Sequence, residues 1–418
     1  MNEKLLQYIW QYQCYNTSSL LTTDDQELMV ISRGNYNSNQ GPDFLNAKIK
    51  IDNAIWAGNI ELHVLSSDWR KHKHQEDKNY HNVILHVVWK HDEEIGENFP
   101  TLELQERVPK LLLNKYELLS QNRGFIPCEN QIKSVETIII RKWKERLLME
   151  RLQEKSLRID AYLNCNHYHW EETLWWMLAE NFGMKVNGEG FISIARSVPY
   201  NILQRHKNSL FQLEAFLFGQ SRILDNEYHD EYMKTLQREY AFLKNKYGLI
   251  QSSISLSFLR MRPANFPTIR LAQLAALLQT IDGLFAKLLH ENEINRFMDN
   301  LMVATSDYWT DHYMPDICST KKIKKTGEQM IQHIMINSII PVLYCYGCFN
   351  DEKDLQMKAI DWLEQLSPEK NTITIQFEGL NIEHNSAFDS QALIQLKNLY
   401  CSQNKCLECG IGNAILMK

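Results

Sequence analysis

The spacing of hydrophobic positions changes character along this 418-residue chain. Residues 4–13 place apolar side chains on one face of a helix. Residues 20–23 and 27–32 read as two strands about the turn formers Asp24 and Asp25, which predicts a hairpin. Residues 33–42 are rich in turn formers and predict a loop that leads to Asp43. The period is two over residues 44–51 and 54–64, with Asp52-Asn53 as a tight turn between two strands. On the second of these, Trp56, Ile60, Leu62 and Val64 share an apolar face, while Asn59, Glu61 and His63 share the other. Ser66-Ser67-Asp68 suits the start of a helix near Trp69, and residues 83–89 form the apolar run of a buried strand. Strand, helix, strand in succession predicts parallel pairing across the crossover, and residues 101–104 add an edge strand.

From Ser134 onward the pattern turns helical. Residues 134–158, 170–182, 202–218, 228–247, 269–290 and 330–344 predict helices, with Pro267 at a tolerated helix start. Residues 372–377 predict a strand, and residues 390–400 a helix that delivers Cys401, Cys406 and Cys409. The fold expected is an α/β N-terminal domain with a mixed sheet over residues 1–120 and a mainly α-helical domain over residues 130–370. A strand, helix and small cysteine-rich segment over residues 371–418 is expected to pack on the helical domain.

Composition narrows the class. Hydrophobic residues at 44% and aromatics at 11% are globular values. A net charge of -6 argues against a chain that coats nucleic acid indiscriminately and leaves room only for a local basic face. Gln7, Gln11 and Gln13 interrupt the opening apolar stretch, so no export signal is expected. Gln332, His333, Asn337, Ser338 and Pro341 break residues 330–349, which reads as a buried helix rather than a membrane span. Nine cysteines, an odd number, fit a reducing compartment. The expectation is a cytoplasmic protein with no membrane partner.

The chemistry concentrates early. Asp43 and Glu61 supply two hard oxygen ligands of the kind Mg2+ or Mn2+ takes, with the Leu62 carbonyl as a third and His63 as base or electrostatic stabiliser. Pro42-Asp43 followed by Glu61-Leu62-His63 resembles the restriction-endonuclease-like PD-(D/E)XK superfamily, which places Pro-Asp on one strand and Asp or Glu, any residue, then Lys on the next. The resemblance covers the first quarter of the chain and departs at His63, where the superfamily has Lys. It implies a nuclease-like fold and metal-dependent cleavage of nucleic acid, with Asp43 and Glu61 holding the metal. The alternative is a degenerate nuclease fold that binds nucleic acid or protein without catalysis.

Six histidines stand at positions 63, 72, 74, 81, 86 and 91. A rival site uses His72, His74, Asp77 and His81 for a transition metal, and His72 and His74 converge only outside a regular helix. His86, inside an apolar strand, reads as a hydrogen-bonded core residue. Cys401, Cys406 and Cys409 are spaced to hold Zn2+ or part of an iron–sulfur cluster, with a fourth ligand from elsewhere, for which Cys345 and Cys348 are candidates. Some nucleases of the superfamily carry a terminal iron–sulfur cluster. Arg141, Lys142, Lys144, Arg146, Arg151, Lys155 and Arg158 read as a solvated helix face interleaved with acids, or as a phosphate track.

Gly41-Pro42-Asp43-Phe44, Gly58-Asn59-Ile60-Glu61-Leu62-His63, Leu85-His86-Val87-Val88, residues 262–267 and Cys406-Leu407-Glu408-Cys409 together resemble an uncharacterised bacterial family, one of the domain-of-unknown-function (DUF) families. That resemblance spans nearly the whole chain and implies no activity by itself.

Overall fold

A computed structural model describes residues 1–280 and 283–418; residues 281 and 282, inside the helix expected over 269–290, lie outside the described residues. The chain forms two compact units, Met1–Trp143 with Leu396–Lys418, and Lys144–Gln395.

The first unit is built on a mixed sheet, as the alternating pattern predicts. Helix α1 (Glu3–Gln11) starts at Asn2, whose Oδ1 accepts from the Leu5 amide at 2.9 Å, and it buries Leu5, Leu6, Ile9 and Trp10. Strands β1 (Leu20–Leu21) and β2 (Glu27–Ser32) make the expected hairpin. A short strand β3 (Asn35–Tyr36) interrupts the expected loop and pairs with β4 (Phe44–Ile51), which also pairs antiparallel with β2 and with β5 (Ala54–Leu65). A single helical turn, α2 (Asp68–Lys71), leads through two 3₁₀ turns to β6 (Val83–Lys90). Strand β6 runs parallel to β5 with Glu61 opposite His86, and β7 (Thr101–Glu103) adds a second parallel edge.

Strand β5 departs from the expected pattern in one respect. From Ile60 to His63 all four residues are buried, including the polar pair Glu61 and His63. Both sheet faces are covered here, so the polar face is an interior rather than a half-exposed surface. Trp69 fills one side, packed with Val83 and Ile95 and flanked by Tyr80 and Phe99. Burying such side chains contributes about 1.5–3 kcal/mol each.

The segment expected over residues 371–418 is divided: residues 371–395 stay with the helical unit, while residues 396–418, which carry Cys401, Cys406 and Cys409, belong to the first unit. Lys397 Nζ donates to the Phe125 carbonyl at 2.6 Å, and Tyr400 sets its ring edge-on to Trp143. A β-carbon on Gly410 would stand 2.7 Å from the Trp143 ring, so glycine permits the tail to lie against that indole. Residues 372–377, expected as a strand, form the helix Thr372–Gly379. Asn371 and Thr374 close a capping box there, and this local nucleus overrides the β-propensity of the Thr-Ile alternation.

The second unit is largely helical. The expected helix over 202–218 is broken into Tyr200–Arg205 and Leu210–Gln220, with Ser209 capping the second piece. Residues Glu328–Phe349 form a 22-residue apolar helix long enough to cross a membrane, and 72% of its most apolar window is buried within the fold. It carries a π-helical turn at Met335–Ile339. Pro341 has no amide hydrogen for the Asn337 carbonyl, and Asn181 Nδ2 donates to that oxygen instead at 3.3 Å. Three of the cations expected on a solvated helix face turn into the fold, Lys144 buried and Arg151 and Lys155 half-buried. Lys144 pairs with Asp389 at 2.7 Å, Arg151 bonds Gln391 and Gln395, and Lys155 bonds Asn337 and Gln391.

Candidate metal centre

The loop ending at Pro42 sets Asp43 at the head of β4, and antiparallel pairing brings it beside the middle of β5. The two strands are interlocked through the carboxylates. The Asp43 amide donates to Glu61 Oε2 at 3.0 Å, and the Leu62 amide donates to Asp43 Oδ2 at 3.1 Å. Gln7, on α1, donates its amide to Asp43 Oδ1 at 2.8 Å. Nothing in the hydrophobic pattern marks Gln7, because its partner lies far off in the chain.

Glu61 turns its other oxygen toward imidazoles. Its Oε1 lies 3.6 Å from His63 Nε2 and 3.4 Å from His74 Nε2. His63 Nε2 is also 3.2 Å from His72 Nδ1 and 3.3 Å from His74 Nε2. His63, His72 and His74 each offer a nitrogen within 4.8 Å of the others. The convergence depends on a break in the helix. Helix α2 stops at Lys71, and Lys73 takes a left-handed conformation with φ 60°, which folds His72 and His74 back onto β5. His72 and His74 therefore join Glu61 and His63 instead of forming a separate site. Asp77 instead caps the next turn through the Asn79 amide, and His81 is exposed.

Surrounding aromatics fix the rings. Tyr80 stacks on His74 with ring centres 3.9 Å apart, and Trp69 lies against His63, His74 and His86. His86 is fully buried and places Nε2 at 2.8 Å from His63 Nδ1. His86 Nδ1 is buried with no hydrogen-bond partner.

The electrostatics are those of a crowded interior. Burial foremost, then the charge of Asp43, pushes the Glu61 carboxyl up to about 9. Burial pushes Asp43 up to about 7, against the opposing hydrogen bond from Leu62. Burial, then the neighbouring imidazoles, holds His63 down at about 2, His74 at about 4 and His86 at about 3. Neutral imidazole has one N–H, yet His63 Nε2 faces two imidazole nitrogens and a carboxylate oxygen. Lone pairs outnumber protons at this point, a donor set that fits a cation. Carboxylate plus imidazoles suits Mn2+, Zn2+ or Fe2+ better than Mg2+, which prefers oxygen ligands and retained water. Asp43 and Glu61 lie on neighbouring strands, each bonded to a backbone amide of the other strand, and the imidazoles beside Glu61 make this a mixed oxygen–nitrogen donor set.

The tail cysteines occupy a separate place in the same unit. Cys128, Cys401, Cys406 and Cys409 line one pocket with Pro127, Leu396, Tyr400 and Ile411. Cys345, a candidate fourth partner, instead has its sulfur 3.5 Å from Asp160 in the second unit.

Comparison with curated proteins and with solved structures gives no match. Residues 3–372 match the family model described as "Protein of unknown function (DUF2851)", and the chain belongs to that family.

Proposed function

We propose that the first unit is a metal-dependent phosphodiesterase or nuclease whose ion is held by Glu61, His63, His72 and His74, with Asp43 beside them. The observation that carries this reading is the meeting of Glu61 with the His63 and His74 imidazoles, the His72 nitrogen closing the same cluster, next to a second carboxylate at Asp43. The Pro42-Asp43 and Glu61-Leu62-His63 motifs lie side by side on neighbouring strands, the order that the PD-(D/E)XK resemblance implies.

A bound divalent ion supplies a water of lowered pKa and neutralises charge that develops on a phosphodiester. The residues of the chain do the rest. Asp43 and Glu61 lock β4 to β5, Gln7 holds Asp43, and His86 holds the far side of the His63 ring. His72 is exposed, so solvent and substrate reach the centre from its side. The segment that carries His72 and His74 also carries exposed Lys71, Lys73 and Lys78, which favours an anionic substrate over a neutral one. Arg70 is held by Glu93 and the carbonyls of Glu94 and Ile95, and serves to anchor the segment.

The interlocking of Asp43 and Glu61 with backbone amides also suits a purely structural role, as in a binding module on a degenerate nuclease fold. Incubation of single- and double-stranded DNA and RNA with the protein and Mg2+, Mn2+ or Zn2+ separates the two. The catalytic reading expects metal-dependent cleavage that Asp43→Ala and Glu61→Ala abolish. Equal residual cleavage in both variants and the wild type would sink it.

A further inference from the structure

We infer that Cys128, Cys401, Cys406 and Cys409 form a tetrathiolate metal site that clasps the C-terminal tail to the first unit, taking either a zinc ion or an iron–sulfur cluster. Three of these residues are close in sequence, but Cys128 lies more than two hundred residues upstream, and the fold brings it into the same pocket. A cysteine drawn from so far to complete a set of four is not explained by local spacing. The rest of the pocket lining is mostly apolar, with Pro127, Leu396, Tyr400 and Ile411, the dry setting in which thiolate–metal bonds persist.

The backbone around the sulfurs is shaped for the task. In Cys406-Leu407-Glu408-Cys409 the Cys409 amide donates to the Cys406 carbonyl at 3.3 Å, which folds the two-residue spacer into a turn that carries both thiols. The next helix, Gly410–Met417, begins directly after Cys409. A β-carbon on Gly412 would stand 2.1 Å from the Cys406 carbonyl oxygen, so only glycine lets the helix close over the turn. On the other side, the Gln131 and Ile132 amides donate to the Cys128 carbonyl and hold that residue in its own turn.

Four thiols that line one mostly apolar pocket bind a cation as thiolates. Binding of Zn2+ releases four protons from four thiols and forms four Zn–S bonds. An iron–sulfur cluster requires iron and inorganic sulfide besides the same four thiolates.

The test uses the full chain purified without oxygen. Metal and acid-labile sulfide are measured together with the reactivity of each cysteine toward iodoacetamide before and after a chelator. Either about one zinc per chain or iron and sulfide in equal amounts is expected, and Cys128→Ser should lose that metal. A His72→Ala and His74→Ala double variant should keep it, which separates this site from the histidine centre. Should Cys128→Ser fail to fold, the labelling decides. Cys128, Cys401, Cys406 and Cys409 should become reactive together on chelation, while exposed Cys165, Cys318 and Cys348 react at once. Labelling of the four that ignores the chelator, a disulfide between any two of them, or no sulfur-dependent metal after incubation with Zn2+ or with ferrous iron and sulfide would overturn the inference.

Discussion

His63 Nδ1 and His86 Nε2 face each other at 2.8 Å in the interior of the first unit. Burial holds both rings neutral, and a 2.8 Å hydrogen bond between these two nitrogens takes one proton, carried by either ring. When that proton sits on His63, its Nε2 presents a lone pair toward Glu61, His72 and His74, the form a metal requires. On the proposed reading His86 is a positioning residue for the centre. His86→Phe is expected to weaken Mn2+ or Zn2+ binding by about 10–100-fold, while His86→Gln keeps part of it through a side-chain hydrogen bond. Calorimetric titration of the three proteins checks this, and unchanged affinity in His86→Phe removes His86 from the site.

Without a cation, burial disfavours the charged forms of both Asp43 and Glu61. Their folded-state pKa values, about 7 and about 9, lie above the ordinary 3.8 and 4.5. For carboxyls shifted in this direction, the stabilising contribution is complete below the ordinary value and is lost as pH rises through the folded value. At pH 8 the metal-free Asp43→Asn protein should therefore melt above the wild type. The rise in melting temperature on adding Mn2+ should shrink in the same variant. Thermal unfolding with and without the ion reads both effects, and a metal-free variant that melts below the wild type contradicts the burial cost of the Asp43 charge.

Gly58 sets how closely β5 approaches the chain entering β6. A β-carbon there would stand 2.5 Å from both the Asn82 carbonyl oxygen and Ile84 Cγ2. The carbonyl cannot rotate away, since it accepts from the Asn59 amide at 2.8 Å. Gly58→Ala should cost about 1–3 kcal/mol and disturb the register that puts Glu61 opposite His86. Urea unfolding followed by metal titration measures the two consequences; a variant as stable as the wild type contradicts the close approach.

In the second unit, Glu214 is fully buried and accepts from Tyr232 and Trp309. Burial raises its carboxyl from 4.5 to about 7. The neutral form is favoured in the fold, so its contribution is present below pH 4.5 and is lost as pH rises through about 7. The wild type should lose on the order of 3 kcal/mol across that window through this group alone. Glu214→Gln should lack that slope. The difference between the two pH–stability curves isolates it, and parallel curves refute it.

Much of the first unit was legible because alternation, turn residues and a crossover leave direct marks in sequence. Strands β4, β5 and β6 fall where the period of two and the apolar run place them, with parallel pairing between the last two. The pairing of Asp43 with Glu61 on neighbouring strands was legible by motif. His72 and His74 were legible as candidate ligands, but their meeting with Glu61 and His63 was not, because it rests on one left-handed residue, Lys73, whose type does not announce that conformation. Gln7 and Cys128 meet their partners only through long-range packing, which local spacing does not encode. Residues 372–377 misled because Thr-Ile alternation suits a strand, while a capping box decides for a helix.

The most direct measurement is cleavage of a single-stranded DNA oligonucleotide by the purified chain with Mn2+, compared with Glu61→Gln. Glu61→Gln keeps the shape and the hydrogen bond from the Asp43 amide but removes the carboxylate an ion would draw out beside His63 and His74. The account predicts manganese-dependent cleavage by the wild type and a fall of at least about 100-fold in the variant. Equal cleavage by both proteins, or none by the wild type with Mn2+, Zn2+ or Mg2+ on DNA or RNA, would contradict it.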